Sequence, residues 1–242
     1  MNIIQVYQTN PFEEGQGGGV RYVKNLLNGL KNSCDSILFI GIGSKKESKD
    51  NISLIPVTKE LTGYIRFLFV LILKLPFMDL KKYEIVHVHR LYFAIPFIIL
   101  KPNLKIVSSL HGRTFSVFES KYGPRLLSIF KILFKKIEFF CIKKIDYLMP
   151  VSMDVINSFN DRYNNFYSKN KSKMTVASPL INFNDYKIYD EFEAKRLFGL
   201  DYKFDYMCFL GRLSDVKDVY FLLNLMSEHK NFFKLNKIKL II

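Results

Sequence analysis

Residues 3–30 read IIQVYQTNPFEEGQGGGVRYVKNLLNGL, and this stretch decides the fold. It begins with an apolar run over 3–7, the pattern of a strand buried on both faces. A glycine-rich turn follows, Glu14-Gly15-Gln16-Gly17-Gly18-Gly19, and from Val20 to Leu30 the apolar residues fall at helical spacing. Strand, glycine turn and helix in that order open a βα unit. Glycines let backbone amides approach a ligand, and a helix start presents unpaired N–H groups and partial positive charge, which suits phosphate. The plain alternative is a flexible connection. Gly15 and Gly17 fit the first two places of the dinucleotide fingerprint, but Val20 stands at the third, so a nicotinamide-dependent reading fails there.

Working outward, the alternation repeats. Strands are expected over 37–41, 52–57, 85–89, 105–110, 147–151 and 174–177, with helices over 20–30, 64–75, 92–100, 124–144 and 153–161. Near-continuous apolar strands between helices predict an α/β fold with a doubly wound, Rossmann-like parallel sheet. The pattern loosens over 179–205, around Pro179 and several Asn and Asp residues, with one short helix over 191–198 ended by Gly199. A new strand (206–210), a helix (215–227) and a final strand (238–242) follow. The expected organisation is a domain over 1–180, a connector over 181–205, and the start of a second Rossmann-like domain over 206–242. One and a half βα units cannot cover a parallel sheet, so the chain is expected to stop in mid-domain.

The bulk numbers agree with a folded chain. Of 242 residues 49% are hydrophobic, which excludes disorder. A formal net charge of +14 favours anionic partners, or else reflects a lysine-rich solvated surface. The lysines are scattered, and no zinc-ligand spacing, homeodomain pattern or RNA-binding aromatic motif occurs, so nucleic acid is not an expected partner. The three cysteines, Cys34, Cys141 and Cys208, lie far apart in apolar stretches, as reduced core thiols of a cytoplasmic protein do. No basic segment precedes an apolar core at the start, so no signal peptide is read. The longest uncharged apolar runs, 67–73 and 91–100, are shorter than the roughly 20 residues that cross a bilayer. Residues 124–144 and 64–75 each read as a basic amphipathic helix, with Glu138 on the polar side of the first. Such a helix either packs its stripe on a core or lies in an anionic headgroup layer.

Two further sites stand out. Val107-Ser108-Ser109-Leu110-His111-Gly112-Arg113 puts His111 just past the carboxyl end of a strand, where open α/β sheets collect ligands. His87 and His89 alternate on the preceding strand and share a face. With no third ligand near them, they read as structural and no metal is expected. Gly211-Arg212-Leu213-Ser214-Asp215-Val216-Lys217 joins a strand, a glycine turn, an Arg and a Lys, an arrangement that traps anions.

In order and setting these segments resemble the GT4-type retaining glycosyltransferases of the GT-B fold. The matching residues are the turn Gly18-Gly19 before its helix, Ser109-Leu110-His111-Gly112, Pro150-Val151-Ser152, Ser178-Pro179-Leu180-Ile181-Asn182, and Gly211-Arg212 with Lys217. The resemblance implies a hexosyltransferase that moves a sugar from a nucleotide diphosphate donor to a lipid-linked or polysaccharide acceptor, in the assembly of O-antigen, capsule or exopolysaccharide. It implies that Gly211, Arg212 and Lys217 hold the donor diphosphate without a metal or other cofactor. His111 then positions the transferred sugar, and Gly17, Gly18 and Gly19 let the N-terminal domain close on donor or acceptor. Peripheral contact with an anionic membrane, at the cytoplasmic face of the inner membrane, goes with such acceptors. The chain departs from the family pattern in two places. Asp218 stands where the family has Gly after the lysine, free either to oppose donor phosphate or to cap the helix. The acidic donor-binding motif of the C-terminal domain is absent, which leaves a non-catalytic, acceptor- or membrane-binding product as the alternative.

Overall fold

The computed structural model describes residues 1–14, 17–111, 124–178, 181, 186–211, 213 and 217–242, with side chains in the helix after 124 described from residue 132. The chain forms two compact units, Met1–Asn182 and Phe183–Ile242.

In chain order the first unit contains β1 (Asn2–Val6), α1 (Gly18–Leu30), β2 (Ser36–Ile42), β3 (Glu47–Lys49), β4 (Ile52–Thr58) and α2 (Tyr64–Lys74). After a 3-10 turn at Leu75–Phe77 come β5 (Ile85–Val88), a second 3-10 turn at Leu91–Ala94, α3 (Ile95–Leu100) and β6 (Lys105–Leu110). The unit closes with α4 (Pro124–Lys144), β7 (Tyr147–Pro150), α5 (Met153–Arg162) and α6 (Phe166–Asn170). Seven strands pair in the order β3-β4-β2-β1-β5-β6-β7, parallel throughout except for the short edge strand β3. The order reverses at β1, which lies between β2 and β5, and this reversal opens the ligand crevice of a doubly wound sheet.

Period-two alternation splits the core. Ile3, Ile37 and Phe39 pack on one face with Tyr22, Val23 and Leu27 of α1, while Ile4, Leu38 and Ile40 pack on the other with Phe67 and Leu71 of α2. Helices on both faces explain why β1 and β2 are apolar along their length.

Some boundaries differ from the sequence reading. The helix expected over 92–100 splits into the 3-10 turn and α3, with Pro96 at the start of α3. The strand expected over 174–177 is reduced to a bridge between Leu148 and Met174, although Thr175 N–H and Ala177 N–H still donate to Leu148 and Pro150 carbonyls. Glu138, expected on the polar side of its helix, is buried, where Arg162 Nη1 (3.2 Å) and Tyr163 Oη (2.7 Å) bind its carboxylate. The apolar stripe of α4 divides: Cys141 and Ile142 are in the core, and Ile132, Leu133, Phe139 and Phe140 face solvent. No helix among the described residues is long and apolar enough to cross a membrane.

The second unit holds α7 (Glu191–Leu197), β8 (Asp205–Cys208), α8 (Val219–Glu228), α9 (Lys230–Leu235) and β9 (Ile238–Ile241). The strands β8 and β9 are parallel and pair with each other. Asp190 caps α7 by accepting from Glu193 N–H at 2.7 Å. Of its two readings, Asp218 takes up the cap. It sits at φ 45, the left-handed region a glycine occupies without strain, and its carboxylate accepts from Phe221 N–H at 3.2 Å.

Candidate functional site

The site of the first unit is built at the carboxyl edge of the sheet, around the reversal at β1. Polar side chains interrupt the apolar strands there: Gln5 on β1, His87 and the adjoining His89 on β5, and Ser109 on β6, all buried. They satisfy one another across strands. His87 Nε2 meets Ser109 Oγ at 2.8 Å, and Tyr22 Oη from α1 reaches the same hydroxyl at 3.3 Å. His89 Nε2 donates to Gln5 Oε1 at 2.8 Å. The rings of His87 and His89 lie 4.4 Å apart, and His111, at the end of β6, packs edge-on against Tyr22 at 4.7 Å. Arg90 follows His89, with its guanidinium over the Tyr64 ring.

Burial decides the charge of the three imidazoles. Desolvation, aided by the neighbouring His111, lowers His87 to about 3. Desolvation, aided by the Arg90 guanidinium, lowers His111 to about 4, and His89 is pushed well below the usual imidazole range by its burial. All three are neutral at pH 7. Neutral histidines are potential metal ligands, yet among the described residues no group of three or more His, Cys, Asp or Glu is placed to hold an ion. What the arrangement offers is hydrogen bonding. His111 Nε2 and His89 Nδ1 are buried without a partner, and both residues line a small pocket with Arg90, Tyr92, Ser109 and Glu138. A neutral imidazole there can donate to or accept from a ligand hydroxyl without carrying charge.

The glycine turn is placed as its sequence requires. Gly17 precedes α1 at φ 103, a conformation that L side chains rarely adopt, and Gly18 and Gly19 form the first helical residues. A Cβ on Gly19 would collide with Tyr7 Oη, so the missing side chain lets the phenol lie over the helix start. Gly15 and Gln16 lie outside the described residues, as do Gly112 and Arg113.

In the second unit Gly211 follows β8, and the Lys217 side chain folds beside it, 3.9 Å from where a Gly211 Cβ would stand. Arg212 lies outside the described residues.

A model of one protein family, Glycosyltransferase Family 4, matches residues 16–182. The chain belongs to glycosyltransferase family 4. No curated protein matches the sequence. Among solved structures, Anabaena HepE in complex with UDP and glucose is similar over 99% of this chain and 68% of its own, with 11% identity and a TM-score of 0.58. WaaG, a glycosyltransferase involved in lipopolysaccharide biosynthesis, is similar over 100% of this chain and 70% of its own, at 9% identity and a TM-score of 0.61. The UDP-GlcNAc 2-epimerase of Methanocaldococcus jannaschii is similar over 100% and 66%, at 13% identity and a TM-score of 0.53. These likenesses establish the GT-B fold, and the epimerase among them shows that the fold does not by itself fix the reaction. The chain thus spans about two thirds of the length of these structures.

Within this family-4 chain, sequence reading located His111 and the glycine turn and took His87 and His89 as structural. It did not find Gln5, Tyr22, Arg90 or Ser109 as their partners. The available signal was polar residues in the carboxyl half of a largely apolar strand, Gln5 in β1 and Ser108 and Ser109 in β6.

Proposed function

We propose that the chain is the acceptor-side part, with the beginning of the donor side, of a retaining hexosyltransferase. It transfers a sugar from a nucleotide diphosphate sugar to a lipid-linked or polysaccharide acceptor of the cell surface. The observation that carries this reading is the neutral His111 imidazole, held at the carboxyl edge of β6 against Tyr22 of α1, in a chain that family 4 matches across this unit. An uncharged ring with an unpartnered nitrogen suits a sugar hydroxyl better than it suits proton transfer near neutral pH.

Arg212 and Lys217, near the turn at Gly211, are assigned to the donor diphosphate, where fixed positive charge stabilises the leaving group as its charge develops. No metal is given a role. Peripheral membrane contact belongs to the same reading. Ile65, Phe69 and Leu73 recur every four residues on an exposed face of α2, which also carries Arg66 and Lys74 and no acidic residue. Location at the cytoplasmic face of the inner membrane follows from such an acceptor.

The test is calorimetric titration of the chain with UDP- and GDP-sugars, followed by transfer of labelled sugar to a lipid-linked oligosaccharide. Arg212→Ala should lower turnover by about 10²-fold. Unchanged kinetics in that variant would take Arg212 out of the donor site, and absence of nucleotide-sugar binding would end the transferase reading for this chain.

A further inference from the structure

One charged group at the site has no counterion among the described residues. Arg90 follows β5 directly, at the carboxyl edge of the sheet, and is half-buried. Its guanidinium lies over the Tyr64 ring, 4.7 Å from the centroid, and Nη2 donates to Tyr64 Oη at 3.1 Å. The Tyr7 phenol feels the same charge, which opposes the upward push that burial gives its pKa. The Tyr64 phenol thus holds the planar fork without neutralising it. Among the described residues no carboxylate lies within ion-pair distance of Arg90, and its Nε is buried without a partner. The carboxylate that shares the pocket, Glu138, is already bound by Arg162 and Tyr163. A guanidinium drawn partly out of water without an anion is costly, and a bidentate oxyanion is the ligand that best offsets it.

Beside it lies a small pocket, about the size of one water molecule, with two buried imidazoles in its wall. His89 is fully buried, lines the pocket, and keeps Nδ1 unpartnered because Nε2 donates to Gln5. His111 lines it too, with Nε2 unpartnered. We propose that Arg90 and His111 form an oxyanion subsite in the N-terminal unit that binds a phosphate or carboxylate of the acceptor, with His89 accepting from an adjoining hydroxyl. This rests on the reading that the N-terminal unit receives the acceptor. The Arg90 fork takes two oxygens, and the neutral His111 ring donates to a third or to the group that carries them.

The test is NMR of the full chain with isotope-labelled histidines at pH 7, titrated separately with inorganic phosphate and with glucuronate. Saturable shifts of the His111 resonances are expected. A response to phosphate alone identifies a phosphorylated acceptor, and a response to glucuronate alone identifies an acidic sugar. Arg90→Ala should weaken binding at least about tenfold, and Arg90→Lys should weaken it less because charge survives while the fork is lost. Should Arg90→Ala not fold, Arg90→Gln keeps the stem and gives the same comparison. Lys105→Ala removes an exposed charge at the opposite edge of the sheet and should leave the titration unchanged. The subsite is overturned by any of three results: no saturable His111 shift with either anion, equal affinity in the Arg90 variants, or an equal loss in Lys105→Ala. None of these involves sugar transfer, so failure here leaves the transferase reading standing. Loss of nucleotide-sugar binding with an intact titration would do the reverse.

Discussion

In the N-terminal unit β1 and β2 have parallel neighbours on both sides and helices on both faces, whereas β8 and β9 of the C-terminal unit pair only with each other. The difference reaches the side chains. Phe39, Phe93 and Phe97 are wholly inaccessible, while α8 has no buried residue and exposes Tyr220, Phe221 and Leu223. Both units use apolar strands and capped or glycine-started helices. What separates them is how many neighbours each element has. A parallel strand gains most of its stability from cover on two faces, and local signals such as the Asp218 cap shape an element without supplying that cover.

The contrast can be broken first by truncation in each unit. Phe93→Ala should cost about 3–5 kcal/mol through lost burial and the cavity left behind. Phe221→Ala should stay within about 0.5 kcal/mol, as exposed substitutions do. Urea unfolding midpoints measure both, and equal losses would erase the distinction.

The buried histidines sharpen the contrast through pH. Their folded-state values lie below the ordinary imidazole value of 6.5, so the unfolded chain binds more protons in the interval between. Stability is therefore complete above about pH 6.5 and falls as pH drops, through about 4 for His111 and about 3 for His87. Each group contributes a slope of about 1.4 kcal/mol per pH unit inside its window. His87→Gln should flatten the acid limb of the stability curve, as followed by denaturation at a series of pH values. An unaltered limb would mean that the ring is already protonated in the folded state.

The smallest effect tests the local side of the comparison. Asp218→Ala should destabilise α8 by about 1 kcal/mol, while Asp218→Gly should cost only a few tenths, because glycine accepts the left-handed backbone and loses only the cap. Amide exchange in α8 reads the difference. Equal losses in the two variants would show that the carboxylate, and not the backbone conformation, sets the helix start.

Much of this was legible in the residues. The run at Ile3 and Ile4, the turn ending in Gly17-Gly18-Gly19, and the alternation of Ile37, Leu38, Phe39 and Ile40 encode a parallel sheet with two faces. His111 was placed at the carboxyl edge by its position one residue past a strand. Helical periodicity could not show that Glu138 turns inward, because the cause is Arg162 and Tyr163, 24 and 25 residues away on and just after another helix. Nor did spacing connect His89 with Gln5, which lie 84 positions apart and meet because β5 pairs with β1.

By itself, then, the sequence determined most of the strands and helices of the sheet, and that a histidine and a glycine turn stand at carboxyl ends of strands, because periodicity and backbone restriction act over a few residues. Strand order was decided only by the tertiary structure. By placing β1 between β2 and β5, and β6 beside β5, it brought Gln5, Tyr22, His87, His89, Ser109 and His111 together. Burial then removed the charge from the imidazoles and left Arg90, among the described residues, a cation without a carboxylate within ion-pair distance, since desolvation depends on what the whole fold packs around a group and not on its neighbours in the chain.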